Sequence, residues 1–298
     1  MSADGAGLDW DGERAAWPMA DRARRVTAQG KTWHVIQSGE GPDILFLHGA
    51  GGAAHSFRAL LPLLDGQARC AIPDLPGHGF TPMPAPHRMT LPHMAEDMAT
   101  LLHTLAVRPR LVIAHSAGGA LALRMALSGL IAPGRILIVN GALTPFRGMA
   151  GLLFPAMARM LARNPFAPWI LSRTGRDPSA VRRLMAGIGS DLDETGLALY
   201  ARLAASPGHI AGTLAMMARW DLDPLIADLP HLTTPVDLIV GDRDGAVPPQ
   251  ETLRIAPRMP HHRVHRFAQY GHLLHEEAPG PVADLAHRAM AEQSHTAT

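Results

Sequence analysis

The sequence predicts an α/β fold: a mostly parallel sheet covered by helices on both faces and interrupted by one helical insertion. Three observations carry this expectation. Short apolar β-type runs alternate with helical patterns through residues 24–142 and again through 231–292, as in sheets whose parallel strands are joined by crossover helices. Between residues 143 and 230 the β-type runs stop, leaving helical patterns punctuated by Pro145, Pro155, Pro165, Pro168, Pro178 and Pro207. Finally, the apolar run of residues 111–114 breaks at His115-Ser116-Ala117-Gly118-Gly119 and continues as a small-residue helix.

In chain order, residues 1–23 form an N-terminal extension whose Trp10 and Trp17 either pack on the body or belong to a frayed tail. Residues 31–37 and 44–47 read as strands, 56–64 as a helix, 68–73 as a strand and 90–106 as a helix. Strands are expected at 111–114 and 135–140, followed by the helical lid of 143–230. The core pattern resumes with strands at 236–240 and 263–267, and residues 293–298 are left as a C-terminal tail.

The composition fits one soluble globular chain, with 298 residues, 47% hydrophobic content and a formal net charge of +1. This balance argues against nucleic acid as a partner. Cys70 lies in the strand pattern ARCAIPD, where a small buried hydrophobe is expected rather than a nucleophile or half of a disulfide. The first 25 residues contain acids and no apolar h-region, so they do not read as a secretory signal, and a cytoplasmic location follows. Residues 149–171 are long and apolar enough to raise a membrane span, but Arg159, Arg163 and three prolines argue against it. What remains for this segment is lid core, an apolar ceiling over a ligand, or a face resting peripherally on a membrane. Phe154, Met157, Trp169 and Met217 are the candidate walls of a lid pocket, because Met adapts to bulky ligands. Arg159, Arg163 and Arg219 are available to an anionic group.

The chemistry concentrates around Ser116. A serine hydroxyl becomes a useful nucleophile when a strained strand-to-helix turn exposes it, the next backbone N–H faces the oxyanion and a base is in reach. Ala114, Gly118 and Gly119 supply the small residues such an elbow needs. Downstream, the run 236–240 ends at Gly241, and Asp242 or Asp244 in the following loop is the candidate acid. His272, after the strand of 263–267, is the candidate base, giving the chain order Ser, acid, His. Upstream, the run from Asp43 opens into His48-Gly49-Ala50-Gly51-Gly52, where the N–H of Ala50 is the candidate partner of the Ala117 N–H in an oxyanion hole. The same glycines with Asp74 about 20 residues on also resemble a dinucleotide fingerprint. That alternative leaves Ser116, the acids and His272 without a role. None of the 17 histidines has cysteines or carboxylates at a metal-ligand spacing, so no metal or other cofactor is expected.

The motifs LHGAGG, DLPGHGFT, AHSAGG and GDRDGAVP, with Gly271-His272, together resemble the α/β-hydrolase superfamily over residues 24–292. The resemblance implies Ser116 as nucleophile, His272 as base and, from the spacing of Gly241, Asp244 and Pro248, Asp244 rather than Asp242 as the acid. More narrowly, NGALTPF from Asn140, LFPAMARMLARNPF from Leu153, the stretch DETGLALYARLAASPGHIAGTLAMMARWDLDPL and the Trp-Pro-x-x-Asp-Arg-Ala start at Trp17 resemble the magnesium-chelatase accessory family, BchO, of bacteriochlorophyll biosynthesis. This implies a role near insertion of magnesium into a porphyrin, with a porphyrin and magnesium chelatase as partners and peripheral contact with the photosynthetic membrane. No Walker motif for ATP is present, so the chain is not expected to be the chelatase motor. Two classes of function are therefore expected: a serine hydrolase of an ester or related acyl bond, or a non-catalytic tetrapyrrole-binding protein on the same fold.

Overall fold

The computed structural model describes residues 7–145, 160–161 and 164–295. Among the described residues eight strands form one sheet: β1 (Ala23–Ala28), β2 (Lys31–Ser38), β3 (Asp43–Leu47), β4 (Arg69–Pro73), β5 (Leu111–His115), β6 (Arg135–Val139), β7 (Val236–Gly241) and β8 (His262–Phe267). Their spatial order is β1-β2-β4-β3-β5-β6-β7-β8. Only the pairings of β2 with β1 and with β4 are antiparallel; from β4 to β8 the sheet is parallel.

Strand β1 is an edge strand that the sequence pattern does not announce. Arg24, Arg25 and Thr27 are exposed on it, and such charged edges resist pairing with another chain. It reaches β2 through Gln29 and Gly30, at φ 46° and 74°, the two positive values of a type I′ hairpin turn. The central strands β3, β5 and β6 are buried along their whole length, which is why they read as unbroken apolar runs.

Alternate residues divide between two cores. Leu45, Leu47, Val112, Ala114, Ile136 and Ile138 face the helices α2 (Leu91–Thr104) and α3 (Ala117–Leu127). Ile44, Phe46, Leu111, Ile113, Leu137 and Val139 face the opposite side, with Phe57, Leu60 and the C-terminal helix. This period of two is the geometry of a strand covered on both faces.

The expected helix at 56–64 is corrected. Two 3-10 turns, Ala54–Phe57 and Leu61–Leu63, occupy the region. Pro62 has no N–H to give to a carbonyl four residues back, and Leu63 and Leu64 donate instead to Leu60 and Leu61, three residues back. From residue 7 onward the N-terminal extension is docked rather than frayed. It carries α1 (Trp10–Glu13), Leu8 N–H donates to Gly79 O at 2.9 Å, and Trp10 and Trp17 both lie edge-on to Phe80 at 4.8 Å.

Between β6 and β7 the chain forms α4 (Ala167–Thr174), α5 (Pro178–Gly187), α6 (Glu194–Ala204), α7 (Pro207–Arg219) and α8 (Asp223–Asp228). The helices α5, α6 and α7 begin with side-chain caps from Asp177, Asp193 and Ser206, and Pro stands in the first turn of α4, α5, α7 and α8. The prolines therefore start helices rather than break them. After β7 come α9 (Pro249–Ile255), α10 (Leu274–Glu277) and α11 (Pro279–His295), the last running into the stretch expected as a tail. The insertion is tied to the core where Tyr200 of α6 donates to Glu276 of α10 at 2.6 Å and Arg58 pairs with both Glu276 and Asp193. Among the described residues no helix is long and apolar enough to cross a membrane.

Candidate active site

Ser116 sits between β5 and α3 with φ 50° and ψ −119°, a conformation that non-glycine residues adopt only when their surroundings enforce it. Here Ser116 N–H donates to Val139 O at 2.9 Å, and Ser116 O accepts from the N–H groups of Gly119 and Ala142. The helix can leave the strand so sharply because Gly118 lacks a side chain: a Cβ there would lie 2.2 Å from Leu47 O. The loop after β3 touches the elbow directly, since a Cβ on Gly49 would lie 2.9 Å from Ser116 Cβ.

That loop is a type II turn. Gly52 N–H donates to Gly49 O at 3.1 Å, Gly51 has φ 76° and Ala50 keeps a negative φ, the pattern that demands glycine at the third position. Ala50 is exposed at the turn's second position, and Ala117 is buried as the first residue of α3. His48 braces the turn. Leu75 N–H donates to its Nε2 at 2.9 Å, so the ring proton is on Nδ1, which donates to Gly49 O at 2.8 Å.

His272 and Asp244 meet on the other side. His272 Nδ1 lies 2.8 Å from Asp244 Oδ2, while Asp244 Oδ1 accepts from the N–H groups of Ala246 and Val247, each at 2.8 Å. Asp242, the other candidate acid, accepts instead from Arg266 Nε at 2.9 Å. The ring of His115, the residue before Ser116, lies 4.7 Å from the His272 ring, so the imidazole stands beside the elbow.

Several residues that hold this arrangement are given no role by the sequence motifs. Asn140, at φ 47° just past β6, donates from Nδ2 to Gly271 O and His272 O and accepts at Oδ1 from Gly241 N–H. His115 Nε2 also reaches His272 O at 3.0 Å. The insertion contributes as well: His272 N–H donates to Ile188 O and Leu273 N–H to Ser190 Oγ. Strand ends converge here, and that convergence is invisible in a linear pattern.

The surrounding imidazoles are buried. Burial pushes the imidazoles of His48, His55, His78 and His115 down, that of His209 to about 4 and that of His275 to about 3. Cys70 is buried, and burial pushes its thiol up to about 12, so it is no nucleophile at neutral pH. Asp74 is fully committed inside the protein: it accepts from Ala54 and Phe80 N–H groups and pairs with His34. A carboxylate so enclosed is not available to a ribose, and the glycine turn leads into a 3-10 turn rather than an α-helix, so the dinucleotide alternative does not fit. Of the candidate pocket residues, Trp169 on α4 is 50% exposed, with Arg173 stacked 3.8 Å over its ring, and Met217 on α7 is half-buried. Phe154, Met157, Arg159 and Arg163 lie outside the described residues, and Arg219 donates back to Ala215 O within α7.

A family model described as alpha/beta hydrolase fold matches residues 42–279. The chain is also 42% identical over 273 residues to the magnesium-chelatase 30 kDa subunit of Rhodobacter capsulatus, spanning 91% of this chain and 95% of that protein. This chain belongs to the α/β-hydrolase fold family, in its magnesium-chelatase 30 kDa subunit (BchO) branch. Two further matches are less similar. An esterase of Mycobacterium tuberculosis is 26% identical over 286 residues, 90% of this chain and 88% of its own. Among solved structures, an epoxide hydrolase superposes with a TM-score of 0.76 at 22% identity, covering 91% of this chain and 99% of its own.

Proposed function

We propose that this family member is a serine hydrolase of an ester or related acyl bond, acting at the magnesium-insertion stage of bacteriochlorophyll biosynthesis. The observation that carries the chemistry is the 2.8 Å contact of His272 Nδ1 with an Asp244 whose other oxygen is already satisfied by two backbone N–H groups. A carboxylate facing Nδ1 keeps the ring proton there and leaves Nε2 as the basic nitrogen. In this reading Ser116 Oγ bonds to the acyl carbon while its proton passes to His272 Nε2. The carbonyl oxygen becomes an oxyanion facing the N–H groups of Ala50 and Ala117. Collapse expels the alkoxide, which takes the proton from Nε2, and water then releases the acid from Ser116 by the same steps. No cofactor enters. The substrate is a small apolar molecule, and a porphyrin ester would join the acyl chemistry to the pathway.

A fluorophosphonate probe and a panel of acyl esters, porphyrin esters included, test this reading. Wild type should be labelled and should turn over at least one ester; Ser116→Ala should do neither. Labelling of both proteins alike removes Ser116 from the role.

The second reading is a non-catalytic protein that holds a tetrapyrrole beneath the lid of 143–230, with Trp169 and Met217 among its walls, and assists the chelatase. It is favoured by the name of the 42% identical relative, a subunit of magnesium chelatase. Co-purification with chelatase subunits and a porphyrin titration test it separately from turnover.

A further inference from the structure

The turn that carries Ala50 is gripped from two sides by neutral imidazoles, and one of them belongs to the insertion. His209 lies in the first turn of α7 and is buried. Gly79 N–H donates to its Nδ1 at 3.1 Å. A nitrogen that accepts carries no proton, so the neutral ring holds its proton on Nε2, and Nε2 lies 3.1 Å from Gly51 O. The direction of both bonds is therefore fixed: Gly79 N–H to Nδ1, and Nε2–H to Gly51 O.

His48 makes the same bridge from the core side, receiving Leu75 N–H and donating to Gly49 O. The Gly49 and Gly51 carbonyls of the type II turn are thus both held, and both histidines are anchored on the one loop that follows β4. His78 lies between them, its ring 5.4 Å from His48 and 5.3 Å from His209. The approach of α7 is close enough to need glycine on both partners: a Cβ on Gly212 would lie 1.9 Å from Gly77 O, and one on Gly77 would lie 2.8 Å from the Gly212 Cα. Thr213, one turn beyond His209, stands beside Gly51, its Cγ2 3.8 Å from where a Cβ would project.

We propose that His209 is a positioning residue: through the Nε2–H bond to Gly51 O, the insertion sets the orientation of the turn whose Ala50 N–H receives the oxyanion. The proposal rests on the hydrolase reading for its catalytic consequence, but the clamp itself is independent of it. Gly51 O belongs to the Gly51–Gly52 peptide unit, while the Ala50 N–H shares its plane with Gly49 O, so freeing Gly51 O lets the turn tilt from its far end and shifts the Ala50 donor relative to the developing charge; donors of that kind act in the transition state rather than in substrate binding. Helix α7 is then part of the catalytic frame, not a flap that lifts away from it.

The experiment uses the full chain with three substitutions. His209→Leu removes both bonds. His209→Asn retains an acceptor near Gly79 N–H but is too short to reach Gly51 O, and His209→Gln restores a donor at the Nε2 position. With p-nitrophenyl butyrate, Leu and Asn should lower kcat by about 10²-fold with KM within about threefold, and Gln should recover about tenfold of that loss. Fluorophosphonate labelling of Ser116 should slow in parallel. Hydrogen–deuterium exchange of a peptide spanning residues 47–54 should be faster in the Leu and Asn variants than in wild type or Gln. If the Leu variant does not fold, the Asn and Gln pair decides. Equal kcat in the Asn and Gln variants, or unchanged exchange over 47–54 in folded Asn, overturns the proposal. If wild type itself neither labels nor turns over, the hydrolase reading fails and the exchange measurement alone judges the clamp.

Discussion

Asn140 and His272 are joined by a bond from the Asn140 Nδ2 to the His272 carbonyl at 2.9 Å, so the end of β6 holds the loop that presents the imidazole. The same side chain accepts from Gly241 N–H at the end of β7. One buried amide thus fastens three parts of the sheet's C-terminal rim. Asn140→Asp keeps the acceptor, loses the two donors and sets a buried negative charge against the carbonyls of Gly271 and His272. The expected cost is about 2–4 kcal/mol of stability, read by urea unfolding. Asn140→Asp with wild-type stability would show that the rim is held by other contacts.

The two acids of the loop after β7 should separate cleanly. Asp244→Asn puts an amide where a carboxylate faces Nδ1, favouring the wrong imidazole tautomer, and should lower kcat by about 10⁴-fold. Asp242 lies in a partly exposed pair with Arg266, so Asp242→Asn should stay within about tenfold. Ester turnover of the two variants checks this, and the opposite ranking transfers the role to Asp242.

Acid should destabilise this protein well before its carboxylates are neutralised. Six buried imidazoles, those of His48, His55, His78, His115, His209 and His275, are held below their ordinary value by burial. Such a ring binds fewer protons folded than unfolded, so its stabilising contribution is complete above about 6.5 and is lost as pH falls toward about 4 for His209 and about 3 for His275. Glu276 works in the opposite direction. Burial raises its carboxyl to about 7, against Arg58 and Tyr200, which lower it, so its contribution weakens as pH rises from 4.5 to 7. One carboxyl set against six rings leaves a net loss on acidification. Thermal unfolding followed by circular dichroism should show Tm falling from pH 7 to pH 4.5, and a flat or rising Tm contradicts the sign.

The parts legible in the sequence are those with local physics. Ser116 announces itself because an elbow needs small residues at fixed offsets, and β3, β5 and β6 because strands buried on both faces must be apolar throughout. Strand β1 escapes notice because Arg24 and Arg25, pointing to opposite faces, are both exposed and break any apolar alternation, and residues 56–64 mislead because helical periodicity does not reveal that Pro62 tightens the chain into 3-10 turns. Asp242 and Asp244 are equivalent neighbours until Arg266 takes one and the backbone of Ala246 and Val247 orients the other. His209 and Asn140 could not be found by spacing at all. Their partners lie 130 and 131 residues away, at Gly79 and Gly271, and nothing distinguishes His209 among the 17 histidines before the chain is folded.

Two tryptophans distinguish structure from binding, and they bear on the second reading. Trp17 is 4% exposed, edge-on to Phe80 at 4.8 Å and to His55 at 5.4 Å, so Trp17→Ala should cost about 3–5 kcal/mol. Trp169 is half exposed under Arg173, and Trp169→Ala should change stability by less than about 1 kcal/mol. If the insertion holds a flat tetrapyrrole against apolar and aromatic walls, protoporphyrin should bind in the micromolar range or tighter, worth about 8 kcal/mol. Ser116→Ala should bind it equally, because the nucleophile makes no part of those walls. Trp169→Glu and Met217→Glu should weaken it by tenfold or more, since each sets a carboxylate against an apolar ring and near the negative propionates. Titration of the porphyrin absorbance band with each protein reads this directly. A wild-type protein that turns over simple esters yet gives no saturable shift up to the solubility of the porphyrin is a hydrolase of some other substrate, and the tetrapyrrole-holding reading falls with that result.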